Sequence, residues 1–139
     1  DLMERSLLAH DGVRPASAIT EALMAEYGSD PERVVEFAHS ARPTDFARYA
    51  PVVFDHAAKG DTVAVGIITD AATAIGESLD ALLWPECPSI CLLGGLAGAY
   101  EPWLSERYRS RLASPKGDAL QGAVELAVKL LNGRQRGTA

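Results

Sequence analysis

The chain has 139 residues, a length suited to one domain. Apolar residues make up 47% and charged residues 23%, which supports a packed core and argues against disorder. Acidic residues outnumber basic ones by 19 to 13, a formal charge of -6, so the chain lacks the basic surplus with which a general nucleic-acid binder displaces counterions.

The first residues, Asp1-Leu2-Met3-Glu4-Arg5, have no basic stretch followed by an apolar one, the pattern of a secretory signal. No apolar run approaches the ~20 residues that cross a bilayer, so no membrane partner is expected. The chain starts with Asp, which suggests processing or excision from something longer. Met3, Leu7 and Leu8 predict a short first helix ending near Asp11-Gly12. His10-Asp11 then forms a helix-end pair in which histidine complements the dipole. Ser17 is placed to cap a second helix carrying Ile19, Leu23 and Tyr27, and Gly28 to end it. Ser29 and Glu32 have capping-box spacing, and Val34, Val35 and Ala38 form the next apolar stripe. After the break at Arg42-Pro43-Thr44-Asp45, Pro51 predicts that one helix ends at Ala50 and another begins.

The longest helix is predicted from Asp61, its cap, to about Leu83. Val63, Ile67, Ala71, Ile75, Leu79 and Leu82 form its apolar stripe, Thr69 and Asp70 lie on a solvated face, and Gly66 and Gly76 permit close approach of another element. Pro85 and Pro88 bound a loop. Ile90-Cys91-Leu92-Leu93 follows as a short, wholly apolar strand, a pattern that implies burial on both faces, as in a parallel sheet. A helix is expected from about Glu101 to Leu112 with Trp103, Leu104 and Tyr108 inward, and a stub of strand near Arg111 to Ser114. Arg107, Arg109 and Arg111 alternate with Glu101 and Glu106 as a solvated surface. A last helix, about Leu120 to Leu131, should bury Val124, Ala127, Val128 and Leu131, leaving 133–139 as a polar, frayed tail.

One strand buried on both faces is not a stable layer. The expected fold class is therefore α/β, a mostly helical partial lobe with a small parallel sheet whose other strands come from elsewhere. Within this single partial domain, 1–60 reads as a helical segment and 61–133 as the strand-and-helix core. Cys87 and Cys91 lack the further ligands that a zinc site needs. Cys91, in its apolar run, reads as a small hydrophobe, and the cysteine usage fits a reducing, cytoplasmic setting.

The segment that carries chemistry is Ile90 to Gly98. Two glycines at the carboxyl end of a strand permit a sharp turn and let a ligand lie against bare backbone, and a following helix would offer N–H groups to phosphate. The same Gly-Gly pair also serves as a plain turn. His39 and His56 stand apart in sequence, and there is neither a nucleophile elbow nor a Walker-type lysine motif.

Four stretches in order carry a family resemblance: Leu8 to Gly12 with Pro15 to Thr20, Phe46 to Val53 running into Ala57 to Asp61, Leu92-Leu93-Gly94-Gly95-Leu96, and Gly117 to Ala123 with its Ala-rich helix. Together they resemble the C-terminal lobe of the bacterial glucosamine and N-acetylglucosamine kinases, and of the related benzoyl-CoA-reductase-activating ATPases. The resemblance implies a ribonuclease-H-like lobe of the actin-like sugar kinases, ATP and Mg2+ as cofactors, an amino sugar as substrate and a homodimer. It implies that Gly94 and Gly95 approach the nucleotide with Leu96 and Ala97 beside them. The phosphate loop and the general base of that family belong to its N-terminal lobe, so no catalytic residue is carried over, and the missing lobe or a second chain is the expected partner. Two other readings are an ATPase of the reductase-activator type, for whose iron–sulfur cluster Cys87 and Cys91 are poorly placed, and a non-catalytic helical interaction module.

Overall fold

The computed structural model describes residues 1–136. Helices dominate: α1 Leu2–His10, α2 Ala18–Glu26, α3 Pro31–Ser40, α4 Pro43–Ala47, α5 Tyr49–Ala58, α6 Thr62–Leu82, α7 Ala97–Tyr100, a 3-10 turn at Glu101–Trp103, α8 Glu106–Arg109 and α9 Ala119–Arg136.

The helix starts follow the capping chemistry, with changes in who supplies the oxygen. Asp61 caps α6, accepting from the Val63 and Ala64 N–H groups at 3.0 Å each. The same carboxylate accepts the Ile19 N–H of α2 at 2.9 Å, so one side chain caps two helices. Ser17 holds the N-cap position of α2, but its backbone N–H is bonded back by Thr20 Oγ1 at 2.8 Å and the cap oxygen for Ile19 comes from Asp61. At α3 the cap is Asp30, which accepts from the Glu32 N–H at 3.0 Å. Ser29 instead takes a left-handed turn with φ of 57°. Pro51 lies inside the first turn of α5, where the missing N–H has no helical partner to lose.

The core has two parts joined along α6. Leu2, Met3, Ile19, Leu23, Met24, Val34, Tyr49, Val53, Ala57, Ala64 and Ile68 form the larger cluster, which packs α1, α2 and α5 onto α6 and α3 onto α1. Ala72, Ile90, Leu104 and Tyr108 form the second, on its later half. Within α6 the fully buried line is Ala64, Ile68, Ala72 and Gly76. The predicted stripe lies one residue to the side: it is half-buried from Val63 to Leu79, and Leu82 is exposed. Small residues on the most buried line let α5 and α8 approach closely, and the larger side chains flank that seam. Among the described residues α6 alone has the length and average hydropathy of a membrane span. It carries Asp70, Glu77 and Asp80, however, and one face is the core.

The expected sheet is reduced to one isolated parallel bridge, Ile90 with Leu112, among the described residues. Ile90 donates to the Arg111 carbonyl at 2.7 Å, and the Ala113 N–H donates to the Ile90 carbonyl at 2.8 Å. Direction and partner match the strand and stub read from the sequence, but two rails with no third strand cannot propagate a ladder. The predicted helix from Glu101 to Leu112 is replaced by the 3-10 turn at Pro102 and the short α8, with α7 just before them. Pro102 supplies no N–H, and Ser105 starts α8 afresh. Gly66 and Gly76 do receive close neighbours. A Cβ at Gly66 would sit 2.9 Å from an Arg5 guanidinium nitrogen, and one at Gly76 would sit 3.2 Å from Tyr108 Cε2.

The last helix differs most from expectation. It extends to Arg136 and runs through the start of the segment read as a frayed tail, whose remainder, 137–139, lies outside the described residues. From Leu120 to Asn132 every side chain is exposed, including Val124, Ala127, Val128 and Leu131. The apolar stripe is present at helical spacing but covers nothing.

Candidate nucleotide site

Ile90 to Gly98 leave the bridge as bare backbone. Ile90 is buried, whereas Leu93 is 74% exposed. Gly94 turns the chain with φ of 106°, in the left-handed region where a side chain would be strained, and its carbonyl accepts the Ala97 N–H at 3.2 Å. A Cβ built at Gly95 or at Gly98 would meet no atom within 4 Å. The Gly-Gly turn is therefore open to solvent on the side where a side chain would stand. The helix that follows is only the four residues of α7, so its end carries little of the dipole attributed to it from the sequence.

Beside this turn lies a cavity of about 270 Å³. Its walls are Leu92 from the strand, Ala97 and Gly98 from α7, Glu101, and Leu112 to Pro115 from the second rail. Of the four predicted nucleotide residues only Ala97 is among the described residues that line the cavity; Gly94, Gly95 and Leu96 form the turn just before it in the chain and do not line it. Sequence reasoning missed Glu101 and Ser114. The one was read as a surface acid among arginines, the other as the end of a strand stub, and the bridge that brings both segments together had no local signal.

A polar clamp behind the site fixes the second rail to α6. The Tyr108 hydroxyl lies 2.9 Å from the Gly76 carbonyl and 2.7 Å from Asp80 Oδ1, and Arg107 bonds both Asp80 and Tyr108. The Tyr108 hydroxyl and then Arg107 hold the Asp80 carboxyl below the ordinary carboxylate range, and burial and Asp80 push the Tyr108 hydroxyl up. Arg111 donates to the Cys87 carbonyl at 2.5 Å, tying the rail to the Pro85–Pro88 loop, and Arg109 pairs with Glu106 at 2.5 Å. Two of the three arginines thus have structural partners beyond their own helix. Both cysteines are free, Cys87 buried and Cys91 exposed, the reverse of the sequence expectation for Cys91. With only one neighbouring strand, its apolar run lacks the second face that would cover it.

No protein-family model matches the chain. Over 128 residues, 92% of its length, it is 32% identical to the glucosamine kinase GspK of Vibrio cholerae serotype O1, of which it covers 44%. A crystal structure of a protein assigned as an N-acetylglucosamine kinase, from Chromobacterium violaceum, matches with a TM-score of 0.79 and 32% identity, over 90% of this chain and 44% of that one. The chain is similar to part of two amino-sugar kinases. It spans less than half the length of either kinase it matches. The ordered stretches that carried the resemblance in the sequence fall at the double cap, the Gly-Gly turn and the start of α9. Among the described residues no group of three or more His, Cys, Asp or Glu side chains is gathered to hold a metal ion.

Proposed function

We propose that the chain supplies the adenosine-binding side of the cleft in an ATP-dependent kinase that phosphorylates an amino sugar, glucosamine or N-acetylglucosamine. The observation that carries this reading is the bare Gly94-Gly95 turn, open at both Cα positions and adjoining a base-sized cavity, in a chain similar to two kinases of that substrate class. In the reaction, a sugar hydroxyl oxygen bonds to the γ-phosphorus as the bond to the bridging oxygen of the departing ADP breaks. That step rests on positioning and on charge stabilisation from both sides of a cleft. We assign no catalytic base within this chain, and we expect no appreciable kinase activity from it without a complementing half. The uncovered stripe of α9 and the unpaired edge of the Ile90 bridge support the need for such a half, in the same polypeptide or in a second chain. Two free cysteines support a cytoplasmic setting.

The test is calorimetric titration of Mg-ATP into the wild-type protein and into Gly95→Val. A valine side chain would occupy the open space where the nucleotide backbone is expected, without colliding with the protein. Binding that disappears in the variant supports the reading. Equal binding in both would remove the nucleotide from this turn.

A further inference from the structure

We infer that Glu101 sets base specificity by accepting a hydrogen bond from the 6-amino group of adenine bound in the cavity beside the Gly94-Gly95 turn. The inference rests on the proposed nucleotide site and goes beyond it by orienting the nucleotide and naming the residue that discriminates. At about 270 Å³ and open to solvent on one side, the cavity has room for a flat ring with the rest of a nucleotide extending outward. Leu92, Leu112 and Pro115 give it apolar walls against which a flat ring can lie. Among the described residues no Lys, Arg or His side chain lines it, and the Glu101 carboxylate disfavours phosphate there, so the phosphates are placed outside, at the bare turn.

Only two lining side chains carry hydrogen-bonding groups, Glu101 and Ser114. An ionised carboxylate only accepts, whereas a hydroxyl can donate. The ring edge they fit presents one donor and one acceptor. With the N7 edge of the ring toward these two side chains, adenine offers this pair, the N6 amino group beside N7, whereas guanine offers O6 and N7 there, both acceptors. Hypoxanthine presents the same two acceptors on that edge. An O6 directed at the Glu101 carboxylate would be repelled.

The experiment titrates ATP, ITP and GTP, each with magnesium, into the wild-type protein, Glu101→Ala, Glu101→Lys, and Gly95→Val as control. Wild type should bind ATP about tenfold more tightly than ITP or GTP, the discrimination expected of one charge-assisted hydrogen bond. Glu101→Ala should bring the three within about threefold. Glu101→Lys should reverse the order, because an ammonium donates to O6. A purely structural role for Glu101 would weaken all three nucleotides together and reverse nothing. If Glu101→Lys misfolds by circular dichroism, Glu101→Gln replaces it and should bind ATP and ITP alike, since an amide both accepts and donates. An ATP preference unchanged in the Glu101 variants, with Gly95→Val abolishing binding, overturns the inference and leaves the proposed function standing. No nucleotide binding in any protein overturns both. Glucosamine that displaces ATP from wild type but not from Glu101→Ala would also overturn it, by giving the carboxylate to the sugar ammonium.

Discussion

Replacing Asp61 tests the central piece of capping chemistry. Its side chain is 4% exposed, with one carboxylate oxygen serving the α6 N–H groups of Val63 and Ala64 and the other serving Ile19 at the start of α2. Removing a helix cap costs about 0.5–2 kcal/mol. Asp61→Ala removes two at once and leaves N–H groups where water enters poorly, so the expected loss is about 3 kcal/mol, a large share of the roughly 5–15 kcal/mol of a typical domain. Asp61→Asn keeps one carbonyl oxygen and turns an NH2 group toward the other helix, so it should lose one cap, about 1–2 kcal/mol. Burial pushes the Asp61 carboxyl up, but the N–H groups of Ala64, Ile19 and Val63 outweigh it and hold the group below its ordinary range. A lowered folded pKa means that the contribution is complete above the unfolded value near ~3.9 and is lost as the pH falls through the folded value. Urea unfolding followed by far-ultraviolet circular dichroism, from pH 7 to pH 3, measures both effects. The stability gap between wild type and Asp61→Asn should stay constant down to about pH 4 and close below it. A loss under 1 kcal/mol in Asp61→Ala, or a gap that does not change with acid, would refute the double-cap reading.

Gly76→Ala gains up to about 1 kcal/mol of helix propensity but places a methyl group against the Tyr108 ring, so it should destabilise wild type and stabilise a Tyr108→Ala background. A double-mutant cycle by urea unfolding reads that change of sign, and the same sign in both backgrounds would deny the contact. A thiol reagent should titrate one cysteine quickly, Cys91, and Cys87 only after unfolding; Cys91→Ser should remove the fast phase. Leu120→Lys combined with Leu131→Lys should change unfolding free energy by no more than about 0.5 kcal/mol while reducing self-association in sedimentation experiments. A loss above 2 kcal/mol would mean that α9 docks on the core.

Much of the helical half was legible because its signals are local. Asp61 at the start of an apolar periodicity, Gly28 after α2, and Gly66 and Gly76 within α6 each state their role within one or two turns of chain. The failures are non-local. Nothing near Ser17 indicates that the oxygen capping α2 stands at Asp61, and periodicity could not separate the buried line Ala64-Ile68-Ala72-Gly76, small at all but Ile68, from the bulkier stripe beside it, because both repeat about every four residues. The helix expected over Glu101 to Leu112 failed for another reason: Trp103, Leu104 and Tyr108 have helical spacing, yet Pro102 and Ser105 interrupt the backbone and the three side chains reach the core from separate short turns. At the candidate site, the Gly-Gly turn was legible as a turn. Its cavity was not, since Glu101 and Ser114 meet Leu92 only through the Ile90–Leu112 bridge.

The same non-locality explains why the apolar pattern of α9 predicted burial correctly as a tendency and wrongly as an outcome. Burying a leucine or valine side chain fully is worth about 1.5–3 kcal/mol. Leu120, Val124, Leu126, Val128, Leu130 and Leu131, all exposed, thus leave on the order of 10 kcal/mol of possible stabilisation unused. A similar imbalance holds at the bridge, where Ile90 is buried and Leu93, three residues on, is bare. A helix face and a strand face are apolar for the same reason, that each needs a layer against it, while the strand's edge needs hydrogen-bonding neighbours; further sheet strands would serve both. The sequence pattern therefore records a surface to be covered, while the described residues supply only its two margins. The Gly94-Gly95 turn hangs from the less covered margin, held by the two hydrogen bonds of Ile90 and the Tyr108 clamp, so a layer packed there would also fix the position of Gly94 and Gly95.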